Sequence, residues 1–240
     1  MIAVTEATAP KVGSEQPSTE WTKRFQRAVL TWFARQGRDF PWRHTSNPFH
    51  ILIAEVLLRQ TQAGRVARPY LELVRWYPNA YAMAQADVDG LREWFKPLGL
   101  VKRGDRLVRA AQILVNDHGG QVPDDLQALM ALPGLGAYSA RAILCLAFDE
   151  PFPMVDEASG RVLRRVLGRE SNAPAYSDRG LLAYAQALLP RYRAKDLNLG
   201  LIDIAAAYCH PRNPDCGRCP LARVCSSAQA ATNGRATFFK

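Results

Sequence analysis

The chain has 240 residues, 48% of them hydrophobic and 22% charged, which suits a folded globular protein and excludes a low-complexity one. No apolar run reaches the length of a helical membrane span, so no membrane partner is expected. A formal charge of +9 and a pI of about 9.6 point to a polyanionic partner.

Residues 1–18 are rich in Ala, Thr, Ser, Glu and Pro, without periodicity or a targeting pattern, and read as a disordered lead. From Glu20 the pattern turns helical, with Phe25, Val29, Leu30, Trp32 and Phe33 on a broad apolar face. Pro41 and Pro48 bracket a loop. Apolar helices are expected over about 49–62 and 66–77, then a short one over 90–95 that Pro97 and Gly99 break. The segment 103–118 is helical and stops at Gly119-Gly120, a C-terminal cap. A short helix over 124–131 and a weakly polar, buried one over 137–148 follow. Further helices are expected over 156–167, about 177–190 and 196–208. No stretch shows sustained strand alternation and no internal repeat is visible, so the fold class is all-α.

Arginine and lysine cluster in three groups: Arg59, Arg65, Arg68 and Arg75; Lys102, Arg103, Arg106 and Arg109; Arg161, Arg164, Arg165 and Arg169. Each group fits a nucleic-acid surface or a solvated helix face.

The segment Leu132-Pro133-Gly134-Leu135-Gly136 lies between two short helices. Its glycines allow a tight turn that exposes consecutive N–H groups beside a helix N-terminus, a geometry that binds phosphate. A plain helix–helix turn carries the same Pro-Gly signals. Asp156 follows the next helix, at a position suited to an N-cap. Glu55 sits in the apolar run Ile51–Leu58; with Arg59 and Gln62 it falls on one helical stripe, so it is either solvated or functional.

Cys209, Cys216, Cys219 and Cys225 are spaced C-x6-C-x2-C-x5-C, a closed set of four thiolates. Soft thiolates suit an iron–sulfur cluster or zinc. The single short pair favours the cluster, because zinc sites more often use two. Two disulfides would need a secreted chain, and no signal peptide is visible. Cys145, in an apolar helix, is a core residue.

In series, the LPGLG turn, buried helix, Val155-Asp156, arginine-bearing helix and four cysteines resemble the helix-hairpin-helix (HhH-GPD) DNA glycosylase superfamily, in its iron–sulfur branch. That branch includes endonuclease III and MutY-type adenine glycosylases, and the likeness runs from about Trp21 to Cys225. It implies a [4Fe–4S] cluster on the four cysteines and two helical domains with a DNA-binding cleft between them. The hairpin domain would span 49–167; the cluster domain would join 20–45 to 168–225, and 226–240 would be a tail. The partner would be double-stranded DNA with one nucleotide flipped out, bound by a monomer in the cytoplasm at the nucleoid.

The resemblance also implies roles. Asp156 would be the catalytic carboxylate. Glu55, in Glu55-Val56-Leu57-Leu58-Arg59-Gln60-Thr61-Gln62, would protonate the leaving base, kept protonated by burial. Tyr138 stands where endonuclease III-type enzymes carry an imine-forming lysine, so a monofunctional enzyme is expected. Gly134 and Gly136 would hold phosphate; Arg59, Gln60, Leu100 and Lys102 would fill the gap and read the opposite base.

Within the branch, the chain looks closest to Mig-type thymine-DNA mismatch glycosylases, which excise thymine or uracil opposite guanine. Gly99-Leu100-Val101-Lys102-Arg103 lacks the tyrosines of the MutY wedge, and the chain ends fifteen residues after Cys225. The stretches Ile143–Phe148, Met154-Val155-Asp156 and Asn198–Asp203 look like the Mig type. One departure is Glu157-Ala158-Ser159, where both relatives have a small residue and asparagine after the aspartate. The alternatives are an adenine glycosylase acting on A·G or A·8-oxoguanine, and a non-catalytic DNA-binding module.

Overall fold

A computed structural model describes residues 18–232; the expected lead over 1–18 lies, but for Ser18, outside the described residues. The helices in chain order are α1 (Thr19–Gln36), α2 (Pro48–Leu58), α3 (Ala63–Trp76), α4 (Ala80–Ala84), α5 (Val88–Phe95) and α6 (Val101–His118). They continue with α7 (Leu126–Ala131), α8 (Ala137–Ala147), α9 (Glu157–Leu167), α10 (Arg179–Leu188), α11 (Ala194–Ala207) and α12 (Ser226–Thr232). Single 3-10 turns link several of them, and no strand occurs among the described residues. The fold is all-α.

Two compact units emerge: Asp39–Glu150, and the residues up to Arg38 joined to those from Pro151 onward. In the first unit α2 is buried along almost its whole length, from Phe49 to Leu57, and packs on α3, α6 and α8. Asn47 caps it by accepting from the N–H groups of Phe49 and His50. The helix ends at Leu58, four residues short of the expectation, because Arg59 turns out of the helix and Gln60 takes a left-handed φ of 52°. Asp125 caps α7, and Gly119, at φ 58°, ends α6.

The second unit is built around α1, α9, α10 and α11. Trp21, Phe25 and Val29 of α1 share one core with Val162, Leu163 and Val166 of α9 and Leu197, Leu201 and Ile204 of α11. Helix α9 therefore belongs with the N-terminal helix, and the division falls at 150–151 rather than at 167. Gly200 lets α1 and α11 approach closely: a Cβ there would stand 2.6 Å from Val29 Cγ1 and 3.2 Å from Phe33 Cβ. Asp203, 1% exposed, accepts from the Arg38 backbone N–H at 2.8 Å and its Nε at 2.6 Å, which fixes the end of α1.

Asp178 caps α10 by accepting from Leu181 N–H and also pairs with Arg164 at 3.1 Å. Burial works against its charge, but the Leu181 N–H, the Ser171 hydroxyl and the Arg164 guanidinium together hold the carboxyl below its ordinary 3.8. A depressed folded value means stabilisation that is complete above the unfolded pKa and lost as pH falls through the folded one. Asp178→Asn is expected to cost about 1–3 kcal/mol at neutral pH, and the deficit relative to wild type should vanish below that acidic value. Denaturant melts across pH check this; a deficit that persists in acid would place the effect elsewhere.

Candidate active site and metal centre

The four cysteines come together in the second unit. All of them line one apolar cavity walled by Val162, Val166, Leu221 and Ala228. No three described His, Cys, Asp or Glu side chains converge on a single ion position. A lone zinc would need its sulfurs about 3.8 Å apart, the edge of a tetrahedron with 2.3 Å bonds. Four soft thiols lining one apolar cavity are a donor set that fits an iron–sulfur cluster. Burial pushes Cys219 up to about 12 and Cys225 up to about 11, and neighbouring cysteines add to both shifts. Thiolates gathered here therefore need a cationic centre to offset desolvation and mutual repulsion.

Helix α9 holds this loop in place. Arg165, 9% exposed, donates to Cys209 Sγ at 3.4 Å and to the carbonyls of His210 at 2.7 Å and Pro211 at 2.9 Å. Arg161 donates to the Cys209 carbonyl at 2.7 Å. Arg164 is engaged with Asp178, and Arg169 lies over the Tyr184 ring. The third arginine group is thus neither a solvated face nor a free cationic patch. An arginine with three backbone or sulfur partners in one loop was not legible from spacing. Arg165→Met is expected to leave two carbonyls unpaired and to lower the iron retained per chain through purification, with a loss of about 2–4 kcal/mol in stability. Iron content equal to wild type would show that the guanidinium is dispensable.

Asp156 caps α9. Its Oδ1 accepts from both the N–H and the hydroxyl of Ser159 at 2.7 Å, and the Asp156 N–H donates back to Ser159 Oγ at 3.0 Å. This capping box pins one carboxylate oxygen. The other has no partner among the described residues. Glu157 turns away and accepts from the Ala175 N–H at 2.8 Å, so the second carboxylate is spent on the unit's own backbone. The buried Ser159 supplies the orienting bonds from the third position after the aspartate. The loop before Asp156 is held by buried Asn198, whose amide oxygen accepts from Met154 N–H at 3.0 Å and whose NH2 donates to Phe152 O at 2.9 Å. The expected 198–203 stretch therefore combines a loop clamp, a close helix contact and the Asp203 anchor.

In the other unit Glu55 is 5% exposed, while Arg59 and Gln62 lie on the surface beyond the end of α2. A solvated stripe is excluded. Leu132–Gly136 joins α7 to α8 as a tight turn. Gly134 adopts φ 93°, and a Cβ on it would stand 3.2 Å from the Arg106 side chain. Helix α8 has no side-chain cap, so the N–H groups of its first turn are open to an anion. Tyr138 stands in that first turn, partly exposed.

Arg59 donates to the Gly134 carbonyl at 3.0 Å and ties the end of α2 to the turn. Arg103 donates to the Leu57 and Arg59 carbonyls and to Thr61 Oγ1, clasping the turn on which Gln60 is exposed. Burial, then the charges of Arg59 and Arg106, lower its pKa. Lys102 is exposed, and Leu100, the residue before α6, is 9% exposed.

Two family models match the chain: that of the HhH-GPD superfamily base excision DNA repair protein over residues 53–183, and the iron-sulfur binding domain of endonuclease III over 209–225. The thymine/uracil-DNA glycosylase of Methanothermobacter thermautotrophicus is 37% identical over 205 residues, 85% of this chain and 93% of that enzyme. The adenine DNA glycosylase of Mycobacterium tuberculosis is 40% identical over 196 residues, 80% of this chain but 64% of that enzyme. The structure of a thermostable thymine-DNA glycosylase superposes with a TM-score of 0.82 at 36% identity, covering 88% of this chain and 97% of that one.

Proposed function

We propose, from the premise that the chain belongs to the HhH-GPD superfamily of base excision DNA repair proteins, that it removes thymine or uracil mispaired with guanine. It is a DNA N-glycosylase that binds DNA and carries a [4Fe–4S] cluster on Cys209, Cys216, Cys219 and Cys225. The observation that carries the mechanism is the Asp156 carboxylate, pinned through one oxygen and open at the other.

Phosphates are held by the N–H groups beside Gly134 and Gly136 and by basic side chains. Gln60, presented by Arg103, enters the stack with Arg59 and Lys102, and the mispaired nucleotide flips out. As the C1′–N bond breaks, positive charge grows on the sugar. The open oxygen of Asp156 faces that charge and orients the water that adds to C1′. Glu55 donates a proton or hydrogen bond to the departing base. The products are a free base and an abasic site. Bound at its four thiolates, the cluster supplies a cross-link that fixes the C-terminal loop on α9. The enzyme acts as a monomer at the nucleoid, with the unit Asp39–Glu150 as its hairpin domain and the other unit, which includes α9, as its cluster domain.

Thymine is favoured over adenine because Gly99–Arg103 holds no tyrosine and the fold superposes on a thymine-DNA glycosylase with a TM-score of 0.82 at 36% identity. A phenol at position 138 forms no imine with the sugar, so no strand cleavage accompanies base release. Borohydride trapping tests this. Wild type should give no covalent DNA adduct, and Tyr138→Lys should gain one, with cleavage before alkali. Trapping by the wild type would refute the monofunctional assignment.

A further inference from the structure

Between α1 and the segment linking Cys219 to Cys225 lies a concavity of about 570 Å³ that plays no part in the chemistry above. Its size is that of a ligand pocket. The floor is apolar, made by Trp32, Pro220 and Val224. The rim carries Arg24, Arg27 and Arg35 from α1 and Arg223 from the facing segment. The α1 arginines recur at helical spacing, a stripe about 16 Å long at 1.5 Å per residue. None of the four pairs with a carboxylate among the described residues, whereas the arginines of α9 at 161, 164, 165 and 169 are all engaged. Like charges held side by side repel, and that cost is offset when an anion arrives. The Trp32 indole N–H already donates to the Tyr208 hydroxyl at 3.3 Å, so the pocket receives apolar ring surface and no donor.

We propose that this concavity docks an acidic peptide segment of a partner protein. One aromatic or aliphatic side chain sits on the Trp32 floor, and flanking carboxylates meet the guanidiniums of the rim. Arginine suits this task because its planar fork takes carboxylates bidentately. A DNA duplex satisfies the cations but sets charged backbone against the apolar floor, and its convex surface fills no pocket. The peptide uses both halves, a buried anchor with a charged surround.

The test is fluorescence polarisation of a labelled peptide, Glu-Asp-Asp-Glu-Gly-Phe, against the full cluster-loaded chain. Saturable binding is expected, weakened about tenfold or more by Arg27→Glu combined with Arg223→Glu. Replacing the peptide's Phe by Gly should weaken it comparably. Base release from DNA by the double variant should match wild type, which certifies its fold; the milder Arg35→Gln should shift binding in the same direction. Equal binding of the Phe and Gly peptides would reduce the site to unspecific charge and overturn the proposal. Displacement by oligo-dT at lower concentration than by unlabelled peptide would make it a nucleic-acid site, and absence of binding would also overturn it.

Discussion

Asp156→Asn is expected to lower single-turnover base release by about a thousandfold or more while leaving the fold intact. The substitution separates two roles that one side chain fills. As a cap, asparagine serves as well as aspartate, because its amide oxygen accepts the Ser159 N–H in the same way. As a catalyst it fails, because a neutral amide neither balances positive charge on the sugar nor activates water. A thermal midpoint near that of wild type, with release lost, assigns the carboxylate to chemistry. A variant that retained release would reduce Asp156 to a helix cap and place the chemistry on another group. Ser159→Ala should fall between the two, since it removes one of the two bonds that pin the oxygen, keeps the backbone N–H bond and leaves the charge in place.

Cys219→Ser should have the largest effect on stability. The hydroxyl is a hard, poorly ionised ligand and does not replace a soft thiolate. Leu221 and Val224, between the last two cysteines, are part of the second unit's core, and Cys209, Cys219 and Cys225 pack against it. Loss of the centre therefore loosens a wall of that core and strands Arg165 with its loop unformed. Metal ligation in small sites contributes on the order of 10 kcal/mol, against a typical total margin of about 5–15 kcal/mol. The variant is expected to lose its iron and to unfold cooperatively at room temperature or fail to accumulate. Iron analysis with circular dichroism reads both. A colourless variant that kept a wild-type melt would deny the centre its structural role.

Much of this was legible in the sequence, for identifiable reasons. Helices with strong periodicity or explicit stop signals, such as α1 and α6, appear close to where the pattern placed them. The four cysteines and the Gly134 turn stand out by their spacing, which leaves zinc and a plain helix–helix turn open until the whole series of motifs is read together. The end of α2 did not, because it is set by Arg103 reaching across forty-odd positions to carbonyls at Leu57 and Arg59. Helix α4 leaves no mark in the sequence because five residues capped by Asn79 carry too little periodicity. The arginines of α9 look like a solvated face in one dimension; only the packed loop shows that Arg161 and Arg165 hold Cys209 and its neighbours. Ser159 and Glu157 departed from the family pattern, and their roles as orienting donor and backbone anchor depend on contacts that no motif encodes.

The most direct test of the central claim is single-turnover base release from two duplexes, one carrying T·G and one A·8-oxoguanine, each read before and after alkali. The account predicts thymine release from T·G, strand breaks only after alkali, and no adenine release. Adenine release from the second duplex with T·G untouched would contradict it and assign the chain to adenine removal.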